Sequence, residues 1–257
     1  MHAVSRTLIY ATAFGAALQG VLGRPTNEQR YAKRAPGVIT SCTVPNTAAL
    51  TFDDGPYKWN REVVDTLNAA GARGTFFVNG NNYDCIYNGN NPENLKYAYD
   101  QGHQIASHTW AHQHLPTLST AEIRNQFTET NDALSNILGV VPAFVRPPYG
   151  EYNSAVLSVA NSLGQNVVTW DFDSGDSAGK AASASAEAYQ ELVDSHPSNI
   201  LTLNHETYSS TVNDLLPEVI KILKAGGYDL VTVAECLRMD AYLSTGAPSK
   251  PDGSWTC

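Results

Sequence analysis

Seven short apolar runs punctuate this chain, separated by stretches whose apolar residues recur at helical spacing. That alternation limits the fold more than any other feature. The runs are AALTF (48–52), GTFFVN (74–79), HQIASH (103–108), AFVRP (143–147), NVVTWD (166–171), NILTLNH (199–205) and YDLVTV (228–233). Each has the length of a strand and is rich in β-branched or aromatic residues. Between them, REVVDTLNAAG and LLPEVIKILKAGG run at helical period and stop at Gly, while STAEIRNQFTETNDALSNILG opens with the capping pair Ser119 and Glu122. Strands that alternate with helices build a parallel sheet, because each crossover helix must pack on a sheet face. The expected class is α/β, with the sheet open or closed into a barrel. No Pro/Gly/Ser-rich linker and no internal repeat interrupts residues 42–236, so one domain is expected.

Most of these runs end in polar residues that a strand has no need of. Asp53 and Asp54 follow the first, His108 and His112 the third, Arg146 and Tyr149 the fourth. Asp171, Asp173 and Asp176 follow the fifth, and His205 and Glu206 the sixth. In a (β/α) barrel these ends converge on one face, where catalytic groups gather. LTFDDGP (50–56) sets two like charges side by side and cuts them off with Gly55-Pro56. SHTWAH (107–112) sets two histidines four apart, so that on a helical turn both imidazoles reach one ion. A carboxylate from another strand end completes a two-histidine, one-carboxylate set with positions left for water and substrate. Such donors suit Zn²⁺, and other divalent ions such as Co²⁺ accept them too. One acid can then bind the metal while the other stays free as a base, since consecutive residues point in different directions. Arg146, in RPPYG (146–150), can fork onto a carboxylate and keep it ionised. His205 can protonate a leaving amine. Taken singly, Arg146 reads as a structural ion pair and His205 as a satisfied core histidine. Their gathering with the other strand-end residues is what favours hydrolysis.

The termini speak to compartment. Residues 1–22 hold Arg6 and then an uncharged, small-residue-rich apolar stretch, as a secretory signal peptide does. Residues 23–34 are polar and end in the dibasic pair Lys33-Arg34, a processing signal, so a single catalytic domain is expected over 35–257. Residues 1–34 carry five basic side chains and one acid, so their loss takes the net charge from −9 to −13. Such a surface repels nucleic acid. All four cysteines, Cys42, Cys85, Cys236 and Cys257, lie beyond this leader, and an even count in a secreted chain reads as two disulfides with three possible connectivities. A Cys42–Cys236 bridge would tie the two ends of the core, which leaves Cys85 with Cys257. No glycosylation sequon occurs, and PSKPDGSWTC has no hydrophobic tail for a lipid-anchor signal. A secreted, extracellular or cell-wall monomer without a membrane anchor is the expectation.

TFDDG (51–55), SHTWAH (107–112), RPPYG (146–150), WDFDSGDS (170–177) and LTLNHE (201–206) resemble the five ordered motifs of the polysaccharide deacetylases, the NodB-homology carbohydrate esterases. The resemblance spans about residues 42–236, and SHTWAH with the leader and the SWTC ending is most like the secreted fungal chitin deacetylases. It implies a distorted (β/α) barrel of about seven parallel strands with the active site at their C-terminal ends. It also implies that Asp54, His108 and His112 bind Zn²⁺, that Asp53 is the general base and that Arg146 orients it. The backbone N–H of Tyr149 would stabilise the oxyanion, and His205 would protonate the leaving amine. The reaction implied is metal-dependent removal of N-acetyl groups from chitin or chito-oligosaccharides, leaving glucosamine units. Two departures stand out. The fourth motif commonly ends in Asp-Trp, and here Ser177 follows Asp176, so either Asp173 or Asp176 could tune the catalytic histidine. The fifth commonly reads His-Asp, and here it is His205-Glu206.

Sugars are gripped by aromatic faces. Tyr149, Tyr57 and Trp59, with Leu203 from the fifth motif, are the expected substrate contacts. Tyr83, Tyr87, Tyr152 and Tyr208 lie near the motifs as well, and the Asn/Gly-rich loop around Cys85 is expected to wall a subsite. Trp110 is expected to pack against the barrel. Two alternatives remain on the sequence alone: an acetylxylan esterase using the same site, and a non-catalytic wall-glycan-binding protein.

Overall fold

The computed structural model describes residues 37–257, so the expected signal peptide (1–22) and pro-segment (23–34) lie outside the described residues. From the first apolar run the chain forms β1 (Thr47–Gly55), crosses through α1 (Asn60–Ala69) into β2 (Gly74–Val78), and passes by α2 (Asn91–Asp100) to β3 (Gln104–Ser107). Then come α3 (Thr120–Leu138), β4 (Val140–Pro142), β5 (Phe144–Val145), α4 (Ser154–Ser162), β6 (Asn166–Val167) and β7 (Phe172–Asp173). The last elements are α5 (Ala182–Asp194), β8 (Asn199–His205), α6 (Leu216–Ala225), β9 (Asp229–Leu230), α7 (Val233–Leu237) and β10 (Tyr242–Thr245). The capping signals act as the sequence implies. Ser119 and Glu122 form a reciprocal capping box at the start of α3, and Gly139 ends that helix in the left-handed conformation, φ 74°.

The strands run parallel in the order β6-β5-β3-β2-β1-β8-β7, with β9 also pairing the start of β1. The two edge strands, β6 and β7, belong to one stretch of chain, 166–173. The sheet therefore curls until its two edges meet in that stretch, which is the distorted (β/α) barrel expected. β1 is buried at every position because it lies mid-sheet with both faces covered. Its pleat sorts its side chains. Ala48, Leu50 and Phe52 pack with Val63, Val64 and Leu67 of α1. Ala49 packs with Phe77, Ala106, Phe144, Val168 and Leu201, drawn from neighbouring strands on the inner side.

Three details differ from the sequence reading. The fifth run, taken as one strand over 166–171, breaks after Val167, and β7 begins only at Phe172. The run at 228–233 gives a two-residue strand, because Thr232 forms a capping box with Glu235 and starts α7. The antiparallel pair β4 and β10 has no signal in the alternation, since its partners lie about a hundred residues apart. Disulfides join Cys42 to Cys236 and Cys85 to Cys257. Among the described residues no helix is long and apolar enough to cross a membrane.

Candidate active site

In a regular strand Asp53 and Asp54 would face opposite sides of the sheet. They do not, because the β1–β2 register shifts between Asp53 and Gly55 and Asp54 takes φ 73°. The bulge aims both acids at one point, a common use of such irregularities. His108 Nε2 lies 3.6 Å from Asp53 Oδ2 and 3.6 Å from Asp54 Oδ1. His112 Nε2 comes within 3.2 Å of Asp54 Oδ1.

His108 Nδ1 donates to the carbonyl of Arg146 at 2.7 Å, which fixes the tautomer and leaves Nε2 with its lone pair toward the acids. Burial drives both imidazoles down, His108 to about 3 and His112 to about 4, so both are neutral and ready to ligate. Burial pushes Asp54 up to about 6, so its ionised form needs a positive partner. One donor atom from each of Asp54, His108 and His112 lies within 4.8 Å of the others. Neutral imidazole nitrogens and a buried carboxylate at that spacing fit a divalent cation.

Arg146 sits wholly inside the barrel. One terminal nitrogen donates to Asp53 Oδ1 at 2.8 Å and to Thr51 Oγ1 at 2.6 Å, and the other donates to the Thr169 carbonyl at 2.8 Å. The Phe77 ring lies 4.1 Å from the guanidinium. Burial raises the pKa of Asp53 and the Arg146 charge opposes that rise. Oδ1 is thus held while Oδ2 faces the histidines, an arrangement suited to a general base.

His205 closes the other side. Its Nδ1 donates to Asp176 Oδ1 at 2.7 Å, while Asp176 Oδ2 accepts from His205 N and from Thr211 Oγ1. Burial alone would depress His205. The hydrogen bond and charge of Asp176 outweigh it and raise the imidazole to about 9. Of the two acids left open by the sequence, Asp176 is the one bound to His205. Asp173 is exposed, accepts from Gly175 N and reaches the cleft rim.

Asp53, Asp54, His108, His112 and His205 line a cleft of roughly 600 Å³, together with Leu203, Tyr149 and Trp170, while Arg146 and Asp176 lie behind it. That volume suits a sugar-sized ligand. Tyr149 is half exposed at φ 59°, with its ring stacked on His114 at 4.0 Å and edge-on to His112 at 4.6 Å. Tyr83 and Tyr208 line the cleft as well, and their hydroxyls meet at 3.2 Å. Tyr57 and Trp59 do not line the cleft. Tyr57 sets its ring 5.7 Å from that of Tyr83, and Trp59 packs on the core at the start of α1. Trp110 packs against the core and over Gly80, where any Cβ would strike its ring at 1.7 Å.

Glu206 is buried beneath the Asp-Asp-Gly turn, accepting from Tyr57 N at 3.0 Å and Asn60 Nδ2 at 2.9 Å. A Cβ at Gly55 would meet Glu206 Oε1 at 2.0 Å, so the turn needs glycine there. The sequence reading passed over Trp170, Thr51 and the amides at the end of β2, Asn79 and Asn82. Trp170 supplies a wall of the cleft from before the fourth-motif acids, where Ser177 stands in place of the commoner Trp. The strand-end rule that selected the other groups applies equally to GTFFVN and would have found Asn79.

Residues 40–168 match the family model described as polysaccharide deacetylase. A chitin deacetylase of Pestalotiopsis sp is 39% identical over 233 residues, covering 88% of this chain and 76% of that protein. The solved structure of the chitin deacetylase from Colletotrichum lindemuthianum superposes with a TM-score of 0.77 at 33% identity, over 80% of this chain and 94% of that one. A family 4 carbohydrate esterase from Streptomyces lividans in complex with acetate superposes with a TM-score of 0.64 at 28% identity, over 74% and 92% of the two chains.

Proposed function

Because the chain belongs to the polysaccharide deacetylase family, we propose that it hydrolyses N-acetyl groups of N-acetylglucosamine units in chitin or chito-oligosaccharides, releasing acetate and leaving glucosamine. The observation that carries this reading is the pairing, across one cleft, of a carboxylate held by a buried arginine with an imidazole held by a buried carboxylate. An acyl transfer from nitrogen needs both, a base for the attacking water and an acid for the departing amine.

Asp54, His108 and His112 would hold a divalent cation, zinc by this reading, which would supply Lewis acidity to polarise a carbonyl and acidify water. Asp53 Oδ2 takes a proton from the attacking water while Arg146 keeps its other oxygen fixed. The Tyr149 N–H donates to the oxygen that gains charge, a contact worth roughly 3 kcal/mol in such sites. His205, held protonated by Asp176, gives a proton to the amine nitrogen as the C–N bond breaks. Leu203, Trp170 and Tyr149, which line the cleft, would enclose the acetyl group and the sugar ring. Two disulfides support a secreted or wall-associated protein, since such bonds persist in oxidising compartments.

The test is acetate released from a chitin tetramer and from acetylxylan, by protein beginning at Ala35, with Zn²⁺ and after chelation. Release from the tetramer that chelation abolishes is the expected result. Faster release from acetylxylan would reassign the substrate, and no release from either by metal-loaded protein would overturn the enzymatic reading.

A further inference from the structure

β2 lies between β1 and β3 in the sheet, and those two neighbours lead into the loops that carry the cation donors. From its C-terminal end a single side chain can therefore touch both loops. Asn79, the first residue past β2, is fully buried there. Its backbone N–H donates to the carbonyl of Gly55 at 2.7 Å, next to Asp54. Its side-chain Nδ2 donates to the carbonyls of His108 at 2.7 Å and Thr109 at 3.0 Å, holding the chain where Thr109 turns at φ 71°. Its Oδ1 accepts from Asn82 Nδ2 at 3.1 Å, and the same Asn82 nitrogen donates to Asp54 Oδ1 at 3.2 Å.

Both amide hydrogens and the acceptor of Asn79 are thus used, and every bond ends on a donor loop or on Asn82, which itself ends on a donor carboxylate. Replacing this amide by an aliphatic group would leave two buried carbonyls unpaired and release the Asn82 amide that holds Asp54. Asn82 lies at the surface, yet its amide fixes the same Asp54 oxygen that stands closest to both histidines. Arg146 also spans the two loops, through its carbonyl to His108 Nδ1 and its guanidinium to Asp53, but of the two acids it bonds Asp53 and not Asp54.

We propose that Asn79 and Asn82 are positioning residues of the cation site: they lock Asp54 against His108 and so set how tightly the site takes a divalent ion. The proposal rests on the metal-dependent reading above. Groups that orient ligands in this way commonly carry about 10- to 100-fold in metal affinity.

The test titrates cobalt(II) into metal-free protein and follows its visible absorption, alongside thermal unfolding of the metal-free form. Asn79→Ala should weaken binding by about 10- to 100-fold and alter the cobalt spectrum, because the donors no longer hold one geometry. Asn82→Ala, at an exposed position, should weaken binding about 10-fold with little change in unfolding temperature. The double variant should lose less than the sum of the two, since both act on Asp54. Asn131→Ala is the control: Asn131 is buried and bonded to Gln165 away from the cleft, so it should lower stability and leave cobalt binding unchanged. Should Asn79→Ala fail to fold, Asn82→Ala alone decides. Cobalt affinity for Asn82→Ala within twofold of the unsubstituted protein would overturn the proposal and leave the metal reading standing. No cobalt binding by the unsubstituted protein would overturn both.

Discussion

Asp176 and Asp53 are both buried carboxylates paired with a base, yet their partners give them opposite tasks. Asp53 meets Arg146, which stays charged throughout the useful pH range and so can only hold the carboxylate still. Asp176 meets His205, which titrates, so the carboxylate decides where the proton sits. Burial lowers the imidazole and Asp176 more than reverses it, to about 9. A group whose folded-state pKa is raised lends stability fully present below its unfolded value, roughly 6.5, and lost as pH rises through the folded value. Metal-free protein should therefore lose stability between about pH 6.5 and 9, and Asp176→Asn should flatten that slope. In the enzyme, activity that needs protonated His205 should fall on the alkaline side. Asp176→Asn should move that alkaline limb downward by on the order of 2 pH units, as expected when a carboxylate partner becomes neutral. Profiles of kcat/KM against pH for the two proteins check this. An unmoved limb would mean that another group limits the reaction.

At the level of strands and loops, what was legible in the sequence followed from period and position. The alternation of β and α placed Asp54, His108, Arg146 and His205 at strand ends, and a barrel brings strand ends together whatever the details of its edges. The bulge at Asp54 was not legible, because Asp-Asp-Gly states nothing about register between two strands; only the pairing of β1 with β2 reveals it. The choice between Asp173 and Asp176 was equally closed to the sequence. Both follow the same short run, and it is the turn through Gly175, at φ 75°, that sends Asp176 inward and leaves Asp173 outside. The loop around Cys85 lines the cleft through Asn82 and Tyr83, and Tyr208, which meets Tyr83 there, is over a hundred residues away and was not legible as its partner. That loop carries Tyr83 and Asn82 and is tied to the C-terminus by Cys85–Cys257. Tyr87 stacks on Trp255 close by, at 5.1 Å. Cys85→Ser with Cys257→Ser should loosen this wall while leaving Asp53 and His205 in place. The expected result, with zinc kept saturating so that any weaker metal binding through Asn82 is offset, is a KM for the chitin tetramer raised several-fold with kcat changed less than twofold, a loss of uniform binding. Equal KM values in steady-state kinetics would place the loop outside the substrate path.

The molecule as a whole closes on itself twice, once in the barrel and once by Cys42–Cys236. The barrel closure is weak in covalent terms. β6 and β7 contribute two residues each, and the stretch between them is tied in by a few isolated contacts, among them Asp171 with Leu201 and the bridge of Ile39 to Val167 and Thr169. Ile39 belongs to the lead-in segment before β1, and Cys42 in that segment is bonded to Cys236 in α7. The disulfide therefore clamps the same segment that pairs with the closing stretch at Val168. Its two cysteines are 194 residues apart, so the bond removes much of the freedom of the unfolded chain. For loops of that size the chain-entropy model gives about 5 kcal/mol, of which measured proteins realise a variable part. Cys42→Ser with Cys236→Ser should thus lower the unfolding free energy by roughly 2–5 kcal/mol in denaturant titration. The proposed catalytic groups sit at the opposite, C-terminal end of the strands, where Arg146 and Asp176 bond to Asp53 and His205. Activity per folded molecule should consequently stay close to that of the parent at low temperature. If activity fell in step with the bond's removal while the protein remained folded, the two ends of the barrel would be mechanically coupled, and the lead-in segment would have to be counted among the elements that shape the cleft.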